Sequence, residues 1–159
     1  MFRRIWSERS QSLVEFSLVV PVLMLLALGI VDFGMAFKSY VELTNATREG
    51  ARYAVVGKPA GAYPADCTHS DGGNVVSRVC KSADLPIAVI DGPIDDISGY
   101  FTSVTVEYPN GDASGNPVVV SAHYHYKLIT PLSGVFKLVS GGDFPGYFDL
   151  SSKADMRLE

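Results

Sequence analysis

Two carboxylates stand out because they lie at or within a stretch that is otherwise apolar. Glu15 directly precedes the segment from Phe16 to Phe37, and Asp32 is the only charged residue inside that segment. A carboxylate in a membrane is costly unless it is paired or reaches water, so such residues are candidates for function. The chemistry available to them is ion pairing and hydrogen bonding.

The other reactive side chains do not form a recognisable catalytic or metal-binding motif. His123 and His125 lie on the same polar face of one predicted strand, but a zinc site needs more ligands and only His69 remains among the histidines. The aspartates of the sequence DGPIDD, which are Asp91, Asp95 and Asp96, do not have calcium-loop spacing. No hydrolase, phosphate-binding or dinucleotide-binding motif is present. We therefore predict no enzyme activity, no cofactor and no small-molecule substrate.

Composition narrows the class of protein further. The 159 residues are 47% hydrophobic and only 19% charged, which excludes a disordered chain. A formal net charge of −4 argues against nucleic-acid binding, which requires a basic surface. These values favour a small domain on a membrane anchor.

The segment from Phe16 to Phe37 predicts a transmembrane helix. Its length of roughly 33 Å, at 1.5 Å per residue, matches a hydrocarbon core of about 30 Å. The basic leader, residues 1–10, contains three arginines, and only Lys38 follows the span closely, which predicts a cytoplasmic N-terminus and an exported remainder. A cleaved signal peptide is the alternative, but a shorter apolar region and a small-residue cleavage site are expected there.

The helical pattern continues beyond the span, so we predict one long helix over residues 11–57. It ends at Gly57, because glycine favours the left-handed cap and the following Lys58-Pro59 stops the helix. Pro21 bends this helix, either harmlessly or as a hinge for packing against neighbouring chains. A stripe of small and apolar residues packs either on the chain's own domain or against another backbone. The stripe consists of Ala36, Tyr40, Leu43, Thr47, Gly50, Ala54 and Gly57.

Residues 58–159 predict an exported domain with half-buried antiparallel strands. Polar and apolar residues alternate over Ser103–Tyr108, over Val118–Ile129 and over residues 148–158. The first two strands are separated by PNGDASGNP, a turn sequence with the Asn-Gly pair of hairpins. Residues 82–101 are interpreted as loop and short turns. The predicted fold class is α+β, with the long helix packed on a small antiparallel sheet.

The two cysteines, Cys67 and Cys80, bracket a short loop. In an oxidising exported compartment we predict a disulfide, which would stabilise the domain by about 3 kcal/mol on the chain-entropy model. The alternative is a pair of unpaired buried thiols. A redox-active pair is disfavoured because there is no C-x-x-C motif.

The N-terminal third resembles a known family. SQSLVEFSLVVPVLMLLALGIVDFGMAF and LTNATREGARYAVVG are similar to the TadE-like family of minor pilins and pseudopilins of bacterial tight-adherence (Flp-type) pilus and secretion systems. The resemblance is dense over Ser10–Gly57, thins in the middle and returns in the final DMRLE. It implies a structural subunit of the inner membrane that assembles with other pilins and the assembly platform.

The resemblance also implies processing by a membrane prepilin peptidase between Ser10 and Gln11. Glu15 would then be the fifth residue of the mature chain, followed by the aromatic Phe16. Ser10 departs from the family pattern, because pilin-like substrates most often carry glycine there. An unprocessed, membrane-anchored binding module is therefore the alternative function.

Three residues of the helix are assigned to subunit assembly: Glu15, Pro21 and Asp32. The new N-terminal amine on Gln11 of a neighbouring subunit would neutralise Glu15 and set the axial register. The alternative is that Glu15 is solvated in the headgroup region. Asp32 is predicted to lie near the exported interface, exposed to water rather than in a subunit contact.

Overall fold

The computed structural model describes residues 3–63, 67, 73–85 and 99–159. This part of the chain contains three helices, α1 (Arg3–Val55), α2 (Val75–Ala83) and α3 (Leu132–Val139), and three strands, β1 (Gly99–Glu107), β2 (Pro117–Lys127) and β3 (Tyr147–Arg157). The long helix packs on the small antiparallel sheet, which confirms the predicted α+β class. His69 and the aspartates Asp91, Asp95 and Asp96 lie outside the described residues.

Helix α1 has 53 residues and would span about 80 Å at 1.5 Å per residue. It is longer than predicted because it already includes residues 3–10. Its end is where the sequence predicts it: Gly57 adopts a φ of 71°, and its amide donates to the carbonyl of Ala54 at 3.0 Å. The helix therefore stops by a left-handed glycine cap.

The N-terminal part of α1 is long and apolar enough to cross a membrane. It contains an 18-residue window with a mean hydropathy of 2.5, none of which is buried against the rest of the protein. Side chains over residues 11–27, which we call the uncovered segment, are all exposed. Within the described residues, α1 is the one helix whose length and composition suit a membrane anchor, which suggests single-pass anchoring.

The sheet has the order β1-β2-β3, and both neighbouring pairs are antiparallel. Val104 lies opposite Ala122, and Val120 lies opposite Ala154, so apolar residues of all three strands share one face. The predicted alternation is confirmed in each strand. Because β2 is central, its inward side chains form the middle of the core: Val118, Val120, Ala122, Tyr124 and Tyr126 are all buried.

The outer part of α1 covers this face of the sheet. Leu43, Thr47, Gly50 and Ala54 are completely buried, so these members of the small-residue stripe pack on the chain's own domain. The hydroxyl of Thr47 is hydrogen-bonded to that of Ser152 on β3 at 2.9 Å. The phenol of Tyr124 lies under the helix, and burial, together with Tyr126 and Glu42, raises its pKa to about 12.

Helix α2 lies in a part of the chain for which no helix is predicted. Asn74 caps it, because its side chain accepts a hydrogen bond from the amide of Ser77 at 2.7 Å. Its apolar face packs on α1, and Arg78 donates to Glu49 across that contact at 2.7 Å. Cys80 on α2 and Cys67 lie at disulfide distance, with their Cα atoms 5.5 Å apart.

The loop interpretation of residues 82–101 is wrong at both ends. Residues 82–83 complete α2, and residues 99–101 begin β1. Most of the proline and glycine residues on which the loop interpretation rests lie in the middle of this range. They carry no information about a helix that ends in its first residues or a strand that begins in its last. Residues 86–98 lie outside the described residues.

Two glycines of α1 differ in what surrounds them, which gives a matched test of the packing. A Cβ on Gly50 would lie 2.3 Å from Cγ2 of the buried Val79, whereas a Cβ on Gly34 would meet nothing within 4 Å. Gly50→Ala should therefore destabilise the domain by about 1–3 kcal/mol through overpacking. Gly34→Ala should be neutral or stabilise the protein by up to about 1 kcal/mol. Unfolding of the purified protein in detergent measures both, and equal midpoints would contradict the packing described.

Candidate functional site

The surface of α1 changes from fully exposed to partly covered at the point where the α+β domain begins to contact it. Residues 11–27 form the uncovered segment, and residues 29–55 form what we call the docked segment, which begins beside Leu132 of α3. A Cβ on Gly29 would lie 4.0 Å from Cδ1 of Leu132. The predicted span, Phe16 to Phe37, therefore includes residues that contact the domain. Only the uncovered segment presents its whole circumference to lipid or to another chain.

The uncovered segment holds the residues that the sequence assigns to processing and assembly. Gln11, Glu15 and Phe16 are all exposed on it. Gln11 and Glu15 are four residues apart and so lie on the same face of the helix, one turn from each other. Among the side chains that the structure describes, none forms an ion pair with Glu15. Its carboxylate is therefore available to a group from outside the described protein.

The bond between Ser10 and Gln11 lies within the continuous backbone of α1. Pro21 also lies inside the helix, in the uncovered segment, and its side chain is exposed. Proline lacks the amide that would bond to the carbonyl of Ser17, one turn earlier, so a backbone acceptor is left without its helical partner there. Ser17 itself donates its hydroxyl to the carbonyl of Val14 at 2.8 Å.

Asp32 has a different environment from the one predicted. Its side chain is only 3% exposed, so the expectation that it faces water is wrong. One carboxylate oxygen accepts hydrogen bonds from the amides of Ile129 and Thr130, at 3.1 and 3.2 Å, and the hydroxyl of Thr130 donates to the other. The reason is the length of β2, which brings the chain back to α1 just where Asp32 lies.

These hydrogen bonds attach the end of β2 to the helix. The phenol of Tyr126 adds a long hydrogen bond, donating to the backbone carbonyl of Asp32 at 3.4 Å. Burial and the nearby carboxylate of Asp32 together raise the pKa of Tyr126, since both disfavour a phenolate. The hydroxyl oxygen of Thr130 also accepts a hydrogen bond from the amide of Leu132, at the start of α3, at 3.4 Å. Asp32 thus positions both the strand end and the short helix that follows it.

The remaining polar side chains do not converge on a site. His125 is 2.6 Å from Asp149, measured from Nε2 to Oδ1, and its ring stacks on that of Tyr147 at 4.3 Å. His123 is exposed on the same face of β2, as predicted. Within the described residues, no group of three His, Cys, Asp or Glu side chains is arranged to hold a metal ion.

Sequence reasoning missed Thr130 and α3 as parts of this region. A usable signal was present, because Thr130-Pro131 directly precedes LSGVFKLV, and a hydroxyl residue followed by proline is typical of a helix start. The buried state of Asp32 has no comparable signal. Its binding partners are amides of a segment almost a hundred residues away in the chain.

The described residues combine a long apolar helix, with the length and composition of a membrane anchor, and an α+β domain docked on the C-terminal part of that helix. A family model described as TadE-like protein matches residues 11–52, which is about a quarter of the chain and lies entirely within α1. Over these residues the match supports the TadE-like family predicted from the sequence, a family associated with the Tad pilus. No curated protein and no solved structure matched the chain.

Removing the carboxylate of Asp32 should loosen the attachment of the domain. Asp32→Ala leaves two buried amides and a hydroxyl without their acceptor and should cost about 2–4 kcal/mol of unfolding free energy. Asp32→Asn keeps one acceptor oxygen and should cost about 1 kcal/mol. The exposed Asp112→Ala is the control and should change stability by less than about 0.5 kcal/mol. Unfolding in detergent and hydrogen exchange at Ile129 and Thr130 measure the effect, and a ranking without this order would contradict it.

Proposed function

We propose that this protein is a minor pilin or pseudopilin of a tight-adherence pilus or secretion system, assembling with related subunits through the uncovered segment of α1. The observation that carries the proposal is the isolated carboxylate of Glu15 on an apolar, wholly exposed helix that the TadE-like model matches. The family match supports a pilus association, and the geometry supplies a mechanism for assembly.

The position of the docked segment supports a particular depth for Glu15 in this proposal. If the outer boundary of the hydrocarbon lies where the domain begins, between Gly29 and Asp32, a core of about 30 Å takes up roughly 20 helical residues below it. The inner boundary then lies near residues 9–12. Glu15 would be one to two helical turns inside the hydrocarbon. This placement moves the span toward the N-terminus relative to Phe16–Phe37 and favours a paired rather than a solvated carboxylate.

A buried carboxylate of this kind creates a requirement for a partner. An unpaired acidic side chain at the centre of a membrane helix costs roughly 2.5–3.5 kcal/mol on insertion scales, and at the shallower depth of Glu15 the cost is smaller but still unfavourable. The N-terminal amine of a processed Gln11 on a neighbouring subunit supplies the opposite charge. Because Gln11 and Glu15 differ by one helical turn, such a pair offsets adjacent helices along the axis by about that amount. The ion pair would thus set the register of assembly.

The other two assigned residues act around this contact. Pro21 frees a backbone carbonyl in the uncovered segment, which lets the helix bend as it packs against neighbouring helices. Asp32 acts from within its own chain, because its carboxylate is occupied by the amides of Ile129 and Thr130. It contributes to assembly by holding the domain at a constant height on α1.

The arginines of residues 1–10 support an orientation with the N-terminus in the cytoplasm and the domain outside the inner membrane. An exported location also suits the cysteine pair, since disulfides persist in oxidising compartments. The partners in this proposal are the prepilin peptidase, other pilin subunits and the pilus assembly platform. The cellular roles are adhesion and secretion.

Processing gives a direct test. Intact-mass measurement on protein extracted from membranes containing the peptidase should find a mature chain beginning at Gln11. Ser10→Gly should raise the processed fraction, because glycine is the usual residue at this position in pilin-like substrates. A Ser12→Gly variant, which leaves the cleavage site itself unchanged, is the control. A chain that keeps residues 1–10 even with Ser10→Gly would contradict processing.

Assembly gives a second test through Glu15. Glu15→Gln keeps the size of the side chain but removes its charge, so the amine of a neighbouring Gln11 loses its partner. We expect incorporation into fibres to fall at least tenfold by immunoblot of sheared pili, with processing and membrane insertion unchanged. Ser17→Ala, on the same uncovered segment, should assemble normally. Fibres of normal composition with Glu15→Gln would exclude the ion pair as the basis of assembly.

The alternative function, an unprocessed membrane-anchored binding module, is favoured by two observations. Ser10 departs from the usual glycine, and the Ser10–Gln11 bond lies within the continuous helix α1. Co-purification separates the two functions, because a pilus subunit should be recovered with other pilins and with the assembly platform. A tethered module would instead be recovered alone or with an envelope ligand.

A further inference from the structure

Helix α3 is apolar on the side that faces away from the protein. Only Leu132 is buried on it, whereas Leu138 is 84% exposed and Val139 is 81% exposed. A surface helix of a water-soluble domain normally turns polar residues outward. With Val135, Phe136 and the preceding Ile129, these exposed side chains form what we call the apolar patch.

The apolar patch lies where the uncovered segment of α1 meets the domain. Leu132 contacts the helix at Gly29, and Thr130 is bound to Asp32, so α3 is held at the height at which α1 leaves the domain. A mostly apolar cavity of about 500 Å³ lies between them, lined among others by Phe33, Leu128 and Phe136. The apolar surface is therefore continuous from the anchor helix through this cavity to α3.

We propose that the apolar patch is a second membrane contact, with α3 lying in the outer interfacial layer of the same bilayer that α1 crosses. The occupant of the patch is lipid, because the anchor helix already holds α3 beside the membrane surface in every copy of the protein. Short amphipathic elements bind this layer with apolar side chains directed into the acyl boundary. Lys137, the basic residue in the last turn of α3, can extend its amine toward the phosphate groups.

This contact would define how the exported domain sits on the membrane. A single helix anchor leaves the domain free to tilt and to rise or sink along the membrane normal. A second contact, about one helix diameter from the first, restricts both motions. The inference goes beyond pilus assembly and does not depend on it, because it concerns only the single chain in its bilayer.

Depth-dependent fluorescence quenching tests the proposal on the full chain. Leu138→Trp, in a Trp6→Phe background, places a reporter in the apolar patch at a highly exposed position. Ala113→Trp, in the same background, places one in the exposed turn between β1 and β2, at the opposite end of the domain. Each variant is reconstituted at a low protein-to-lipid ratio into vesicles of phosphatidylethanolamine and phosphatidylglycerol whose acyl chains are brominated close to the headgroup.

We expect the L138W variant to lose more than half of its emission in brominated vesicles relative to vesicles of the same lipids without bromine. Its emission maximum should lie at shorter wavelength than that of a tryptophan in water. The A113W variant should show neither change. Val139→Trp places a second reporter at another highly exposed position and should be quenched in the same way. It keeps the test valid if Leu138→Trp disturbs α3. Absence of quenching at both positions would overturn the proposal. So would a reporter that escapes quenching and whose emission shifts to shorter wavelength only as the protein-to-lipid ratio rises, because the patch would then be covered by a second copy of the chain.

Discussion

The carboxylate of Asp32 connects the long apolar helix to the α+β domain. Its oxygens accept hydrogen bonds from the amides of Ile129 and Thr130 and from the hydroxyl of Thr130. The chain at the end of β2 is thereby attached to the middle of α1 through a buried carboxylate. A buried carboxylate is stable only while such donors surround it, which makes the contact specific for one height along the helix. That height separates the uncovered segment, which is available to lipid and to other chains, from the docked segment, which forms the core of the domain.

The two segments obey different packing rules within one continuous helix. In the docked segment, Gly50 and Ala54 allow the helix to approach α2 and the sheet so closely that a single added methyl group at Gly50 would overlap Val79. The uncovered segment has no such contacts, and apart from polar residues near its N-terminal end, such as Glu15, its side chains are apolar, as expected for a helix in lipid. Small residues in a membrane protein are often attributed to contacts between helices of different chains. Here the buried ones are used to pack the helix on its own domain.

Much of this fold could be predicted from local patterns. The strands were found because alternating side chains on β2, such as Val118 and Val120, report directly which face is buried. The helix end was found because Gly57 before Lys58-Pro59 is a local signal. Helices α2 and α3 were missed because they are short, eight or nine residues, and lie among glycine and proline residues that predict loops. The environment of Asp32 could not be predicted, because its partners are backbone amides and any residue could supply them.

The burial of Asp32, where exposure to water was predicted, bears on where the membrane span lies along the helix. Hydropathy alone centred the span on the apolar run and included every residue up to Phe37, because Asp32 is the only charge within it. In the proposed arrangement, the outer boundary of the hydrocarbon lies where the domain meets the helix, between Gly29 and Asp32. A span of the same thickness then extends from that boundary toward the N-terminus. The span then takes in Glu15, which hydropathy had left at the edge. In the proposed assembly, the attachment of the domain at Asp32 thus sets the depth of Glu15, and at that depth pairing with a group from another chain would offset the cost of placing the carboxylate in lipid.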